Sequence, residues 1–412
     1  MARTPLAWCN LTHDKVRFAL FVLGIVFAVV LMFVQIGFRG ALLDSNSLIQ
    51  EKVNADLVIV SQNRQAFIMR EPFSRHRLTT AATITGVKEV HPLFLDNGLG
   101  VLRNTATDVD ERTASRSVRV VGINPDAYIL MIPELDPADA RYIADRLKTP
   151  GTALFDRRAK VDDDNLPGHT VFGPLDEKNE IQTELAGKSI TLIGGFDLGT
   201  DFTTDGLLIV SEETFAEYLR RPYTFGEPLA DVDLGLIRLE PGADREVVRK
   251  EIEAALRRGA GDDDADVNVL TPEELVDREH NYWLKNTPIG FIFVFGMFMG
   301  FAVGMVICYQ ILSGDVADHL PEYATLKAVG YGSTYLAWVV VQEALILAVV
   351  GFVVGAFISA GVYYGLTEAT GLPMRMTLSK VLSVFAITVG MCVTSALLAL
   401  VKLLRADPAD VF

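Results

Sequence analysis

Four stretches of this chain carry no charged side chain, and each is long enough to cross a membrane. Residues 18–38, 289–312, 344–367 and 381–401 stay uncharged over 21 to 24 positions. A helix needs about 20 residues to cross ~30 Å of hydrocarbon, and helices in soluble cores seldom remain free of charge that long. Four transmembrane helices are therefore expected. They account for the mean hydropathy of +0.30 and the 50% hydrophobic content of the 412 residues. The first run follows Lys15 and Arg17, as a signal peptide would. Its apolar core exceeds the usual length, and Phe38-Arg39-Gly40 makes a poor cleavage site, so it reads as a retained anchor.

Charge separates the chain into two parts. Of 37 basic and 52 acidic residues, 28 and 44 fall between residues 44 and 285, a net charge of −16 in one block. So acidic a segment is a folded domain outside the bilayer. It argues against a nucleic-acid partner, which would select a basic surface. Cys9, Cys308 and Cys392 all lie outside this block, which therefore has no internal disulfide. Arg3, Lys15, Arg17, Lys327, Lys402 and Arg405 fall on one side of four spans, the side that the positive-inside rule assigns to the cytoplasm. Arg39, Arg375 and Lys380 oppose that assignment.

The expected order is an interfacial N-terminal helix (1–17), a first span (18–38) and an outer α+β domain (39–285). A second span (289–312), a cytoplasmic loop (313–335) and a third span (336–366) follow. A short outer loop (367–380), a fourth span (381–402) and a cytoplasmic tail (403–412) complete it. Within the outer domain, β-branched runs at 55–61, 117–123, 189–196, 206–211, 234–239 and 266–271 read as strands. Residues 241–259 read as an amphipathic helix with Val247, Val248, Ile252, Ala255 and Leu256 on its apolar face. Thr271, Pro272 and Glu274 spell a helix start with a capping box.

Catalytic patterns are missing. Gly187-Lys188-Ser189 resembles the end of a phosphate-binding loop, but Gln182 replaces its first glycine, and a strand rather than a helix follows. Ile311–Asp315 resembles an ABC signature but lies at the end of a span. The histidines at 13, 76, 91, 169, 280 and 319 lack metal-ligand spacing, and the acidic runs 162–164 and 262–264 lack a calcium-loop pattern. No enzyme, cofactor or metal is expected. Helix-packing chemistry is present: Gly296, Gly300 and Gly304 recur every four residues in span two, as do Gly351/Gly355 and Gly361/Gly365 in span three. Such spacing allows close helix approach, within one subunit or across a dimer. Glu343 lies about two turns into span three, where it reaches the headgroups or pairs with a neighbouring span.

Between spans two and three, Ser313–Leu336 holds a short helical pattern. Pro321 starts it, and Tyr323, Leu326, Lys327 and Gly330 recur at helical spacing with Gly330 as the stop. A helix this short is not stable alone in water. It needs the flanking spans or a partner groove, and Glu322 and Lys327 give it a charged rim.

The stretch PEYATLKAVGY after span two resembles the E-x-x-x-L-[KR]-A-[LMV]-G coupling helix of MacB/FtsX-superfamily permeases, through Glu322, Leu326, Lys327, Ala328 and Gly330. More narrowly, the sequence is similar to the DevC family at residues 5–18, 32–45, 281–293, 309–331, 342–349 and 404–412. Residues 107–117 and 257–267 look expanded relative to that family. The resemblance implies a MacB-like fold and a homodimeric, inner-membrane ABC exporter permease. ATP would be bound by a separate DevA-like ATPase subunit. A DevB-like adaptor and a TolC-type outer-membrane duct would be further partners, with membrane lipid or glycolipid as cargo. Pro321, Glu322, Tyr323, Leu326, Lys327 and Gly330 would form the ATPase contact. An FtsX-like signalling protein that activates an envelope enzyme is the alternative, and a receptor without any ATPase is a third reading.

Overall fold

The computed structural model describes residues 15–405 except 104–114, 139, 160–179, 200, 220–226, 228, 259–265, 320, 323–324, 326–328, 331, 371 and 373. The interfacial segment before Lys15, the acidic runs, the tail after Arg405 and coupling residues Tyr323, Leu326 and Lys327 lie outside the described residues. The chain divides into a helical unit and a sheet unit, with boundaries at Ala41/Leu42 and Thr287/Pro288; Thr370–Pro373 counts with the sheet unit.

Among the described residues, four helices are long and apolar enough to span: α1 (Lys15–Asn46), and three more that appear below in chain order. Helix α1 runs on past the uncharged stretch 18–38, because nothing between Arg39 and Asn46 breaks a helix and Ala41 and Leu42 are buried.

The sheet unit follows. Its elements are α2 (Leu48–Glu51), β1 (Leu57–Ser61), β2 (Phe73–Ser74), α3 (His76–Ala82), β3 (Val87–Asp96), β4 (Val101–Arg103), β5 (Ser115–Ser117) and β6 (Arg119–Ile123). Next come α4 (Arg141–Leu147), β7 (Thr152–Asp156), β8 (Ile181–Leu185), β9 (Lys188–Phe196), β10 (Leu207–Ser211) and α5 (Glu212–Tyr218). Then follow β11 (Asp231–Val232), β12 (Leu234–Leu239), α6 (Arg245–Arg258), β13 (Val267–Leu270) and α7 (Pro272–Asn281). A π-helical turn, Tyr282–Asn286, leads from α7 toward Pro288.

Among the described residues, eleven strands form one mixed sheet in the order β13-β1-β12-β3-β6-β10-β7-β9-β8-β4-β5, and β2 pairs β11 beside it. Strand side chains alternate between faces, so two cores form. Leu57, Ile59, Phe94, Val120, Phe155 and Leu208 point to one face, under α3, α5 and α6. Val58, Val60, Leu93, Leu95, Val121 and Ile209 point to the other, with Ile49 of α2, Ile143 of α4 and Leu275 of α7. Burial on both faces explains why β1, β6 and β10 read as continuous apolar runs. On α6, Val248, Ile252 and Leu256 are buried, while Val247, expected on the apolar face, is 54% exposed. The stripe is narrower than expected because one face of a fourteen-residue helix meets the sheet. The capping box at Thr271 is formed in full: Thr271 Oγ1 accepts from Glu274 N (3.2 Å), and the Glu274 carboxylate accepts from Thr271 N (2.9 Å).

The remaining spanning helices are α8 (Pro288–Asp318), α9 (Ser333–Thr370) and α10 (Leu378–Arg405). Helix α1 fills the grooves that the glycines open. A Cβ at Gly296 would lie 2.6 Å from the Gln35 side chain, and one at Gly304 2.7 Å from Ala28 Cβ. Gly300 is in ordinary contact range of Met32. On α9, a Cβ at Gly351 would meet Ile25 at 2.6 Å and one at Gly355 would meet Val29 at 2.7 Å. Gly361 and Gly365 face nothing within 4 Å. Further ties are Tyr363 Oη donating to Phe33 O (2.5 Å) and Ser395 Oγ donating to Met305 O (2.9 Å).

Candidate coupling site

The loop expected from residue 313 begins later, because α8 continues through Asp318. Two interactions hold this last turn. Arg17 Nη1 of α1 pairs with Asp318 Oδ2 at 2.5 Å, and His319 Nδ1 lies 2.9 Å from Asp315 O. Asp315 and Glu343 are both buried, and their carboxyl groups are in hydrogen-bonding contact. Glu343 therefore turns toward α8 rather than toward the headgroups. Side chains from α1, α8 and α9 thus converge at the root of the connecting segment.

The segment itself is helical at Pro321, Glu322 and Thr325. Thr325 Oγ1 donates to Pro321 O (2.9 Å), and Val329 N donates to Thr325 O (3.1 Å), one helical turn on. Gly330 then adopts φ +106°, a left-handed stop that a side chain would oppose. Helix α9 begins at Ser333. Glu322, Thr325, Gly330 and Val329 are exposed, and so is Trp338 in the first turns of α9. The described residues of this segment thus show helical hydrogen bonding and face solvent between the end of α8 and the start of α9. Glu322 and Gly330 belong to the site the sequence marks out. Arg17, Asp315 and Asp318 join it only through the fold. Among the described residues no group of three His, Cys, Asp or Glu side chains could hold a metal ion.

The described chain thus has four helices long and apolar enough to span, a sheet domain inserted after the first, and a segment with helical residues between the second and third. Residues 294–408 match the family described as FtsX-like permease C-terminal. That match covers the C-terminal part of the helical unit and gives those residues the pattern of an FtsX-like permease domain. Among solved structures the chain is similar to the periplasmic region of MacB from Actinobacillus actinomycetemcomitans, at 11% identity and a TM-score of 0.34, over 56% of this chain and 94% of that one. It is also similar to the extracellular domain of the noncanonic ABC-type transporter YknZ from Gram-positive bacteria, at 11% identity and a TM-score of 0.30, over 53% of this chain and 99% of that one.

Proposed function

We propose that this chain is the DevC-like permease subunit of a mechanotransmission exporter. It couples ATP hydrolysis by a separate DevA-like ATPase subunit to movement of its outer domain. The subunit acts as a homodimer with both termini in the cytoplasm. A DevB-like adaptor and a TolC-type duct receive the cargo, an envelope lipid or glycolipid. ATP is bound by the partner and not by this chain.

The observation that carries this reading is the exposure of Pro321, Glu322, Thr325, Val329 and Gly330 between α8 and α9, with Thr325 bonded one helical turn back to Pro321 O and Gly330 in a left-handed stop. It suits docking into a groove of the motor. Leu326→Asp should leave insertion and folding intact and abolish capture of the ATPase in a pull-down from co-expressing cells. Recovery at the wild-type level would refute the docking assignment. The family match lies in the permease part alone, which also supports an FtsX-like signalling protein acting on an envelope enzyme. Copurification of a membrane-fusion adaptor separates the two.

A further inference from the structure

The loop after β1, residues 62–70, joins two parts of the sheet unit that the chain itself connects only distantly. On the sheet side, the Arg64 guanidinium pairs with Asp233, both fully buried, and Asp233 Oδ2 accepts from Leu95 N (2.8 Å). Asn97 Nδ2 donates to Phe67 O (2.6 Å). Asn97 Oδ1 in turn accepts from Arg119 Nε (2.6 Å), and Arg119 pairs with buried Asp201 (2.7 Å). On the other side stands the stem formed by α7 and its π-helical turn. Arg278 Nη2 donates to Gln62 O (2.7 Å), and Asn286 Nδ2 donates to Gln65 Oε1 (2.9 Å). Both are exposed, so water competes for them.

One contact is sealed from water. Glu279, 3% exposed, accepts from Phe67 N through Oε2 and from Trp283 Nε1 through Oε1, each at 2.8 Å. The two halves of the Phe67 residue therefore point opposite ways: its carbonyl is held by the sheet through Asn97, its N–H by the stem through Glu279. Burial holds the Glu279 carboxyl above its ordinary value, even though the Phe67 N–H and the Trp283 indole pull it the other way. A buried carboxylate with two N–H donors makes charge-assisted bonds stronger than those of a neutral acceptor. The stem runs directly into α8 along the chain.

We infer that Glu279 is a positioning residue that locks the loop after β1 onto the stem, so that displacement at the entry to span two reaches the central sheet through Phe67 and Asn97. The transmission part rests on the mechanotransmission reading above; the lock itself does not.

The test uses the full chain in lipid nanodiscs, with hydrogen exchange as readout, first alone and then with the ATPase subunit and ATP. Glu279→Gln keeps the volume but has one acceptor oxygen and turns an NH2 group on a donor. Exchange at Phe67–Met69 should accelerate about tenfold or more, while β10 stays protected. Adding Trp283→Phe removes the opposing donor, frees the amide oxygen for Phe67 N–H and should recover most of the protection. In the wild-type complex, ATP should alter exchange in Tyr282–Asn286 and in Phe67–Met69 together; in Glu279→Gln the stem should respond alone. Wild-type exchange at Phe67 in Glu279→Gln, or loop and stem still responding together, overturns the inference. If ATP alters neither segment in the wild type, the mechanotransmission reading fails, and the measurements without ATP still decide the lock.

Discussion

The Arg64–Asp233 pair offers a quantitative test of what holds the sheet unit together. Both side chains are almost wholly inaccessible, at 2% and 1% exposure, so neither charge is relieved by water when its partner is removed. Removing one member of a buried pair costs about 3–5 kcal/mol, whereas an exposed pair is worth at most about 1 kcal/mol. For a domain of 150–250 residues each kcal/mol moves the melting temperature by about 2–4 °C. Arg64→Met and Asp233→Leu should thus each lower it by about 6–20 °C, followed by far-UV circular dichroism of the full chain in detergent. The double variant removes both charges and leaves the Leu95 amide as the orphan, at about 1–3 kcal/mol. It should therefore be more stable than either single variant.

The two single variants should also differ in pH dependence. Burial already pushes the Asp233 carboxyl up, against the pull of Arg64 and of the Leu95 N–H. In Arg64→Met that carboxyl can take up a proton as the pH falls and so shed its uncompensated charge. Arg64→Met should accordingly approach wild-type stability toward acid pH. Asp233→Leu should not, because a guanidinium keeps its proton. Single losses below about 1 kcal/mol, or a double variant whose loss equals the sum of the singles, would refute the argument that the pair acts as a mutually compensated buried unit.

Two further outcomes follow from the packing and the surface charges. Gly355→Val forces atoms into a space where even a Cβ would lie 2.7 Å from Val29, so α9 must move off α1; Gly361→Val meets open space. Thermal stability in detergent should fall for the first and stay within about 0.5 kcal/mol for the second, and equal losses would contradict the packing. At Glu89, burial pushes the carboxyl up but hydrogen bonds from Arg238 and His91 outweigh it, holding the folded-state value below the ordinary 4.5. A carboxyl depressed in the folded state stabilises above its unfolded value and loses that contribution as pH falls through the folded one. Glu89→Gln should thus lower the melting temperature at pH 7, with a gap that closes below pH ~4.5; a gap that is flat or widens toward acid would reverse the sign.

What the sequence discloses here depends on how far apart the partners lie along the chain. The spans, the strands around Ile59, Val121 and Ile209, and the Thr271 capping box are legible because each is written in one local pattern of period, cap or uncharged length. Strand β3 is not, because Pro92 argues against a sheet interior. The fold accommodates it: at Pro92 the strand pairs only with β12 at Gly235, and β6 joins from Phe94 onward. The glycines make the same point within the membrane. Gly351/Gly355 and Gly361/Gly365 share one spacing, yet the first pair meets Ile25 and Val29 and the second meets nothing, since a motif records that a face is thin and not what covers it. The sites with most at stake are the least legible. Phe67 and Glu279 lie 212 residues apart, and neither position carries a local signal. Asp315 and Glu343 sit in separate helices, where each alone reads as an isolated charge near a membrane end. In both cases the energetic reason is the same: a polar group withdrawn from water must find a hydrogen-bonding partner wherever the fold supplies one. A buried ionisable group in a sequence is therefore best read as a demand for a distant neighbour, and the element that meets the demand becomes mechanically joined to it. By that reasoning the α7 stem is joined to the loop after β1, and the last turns of α8 are joined to α9.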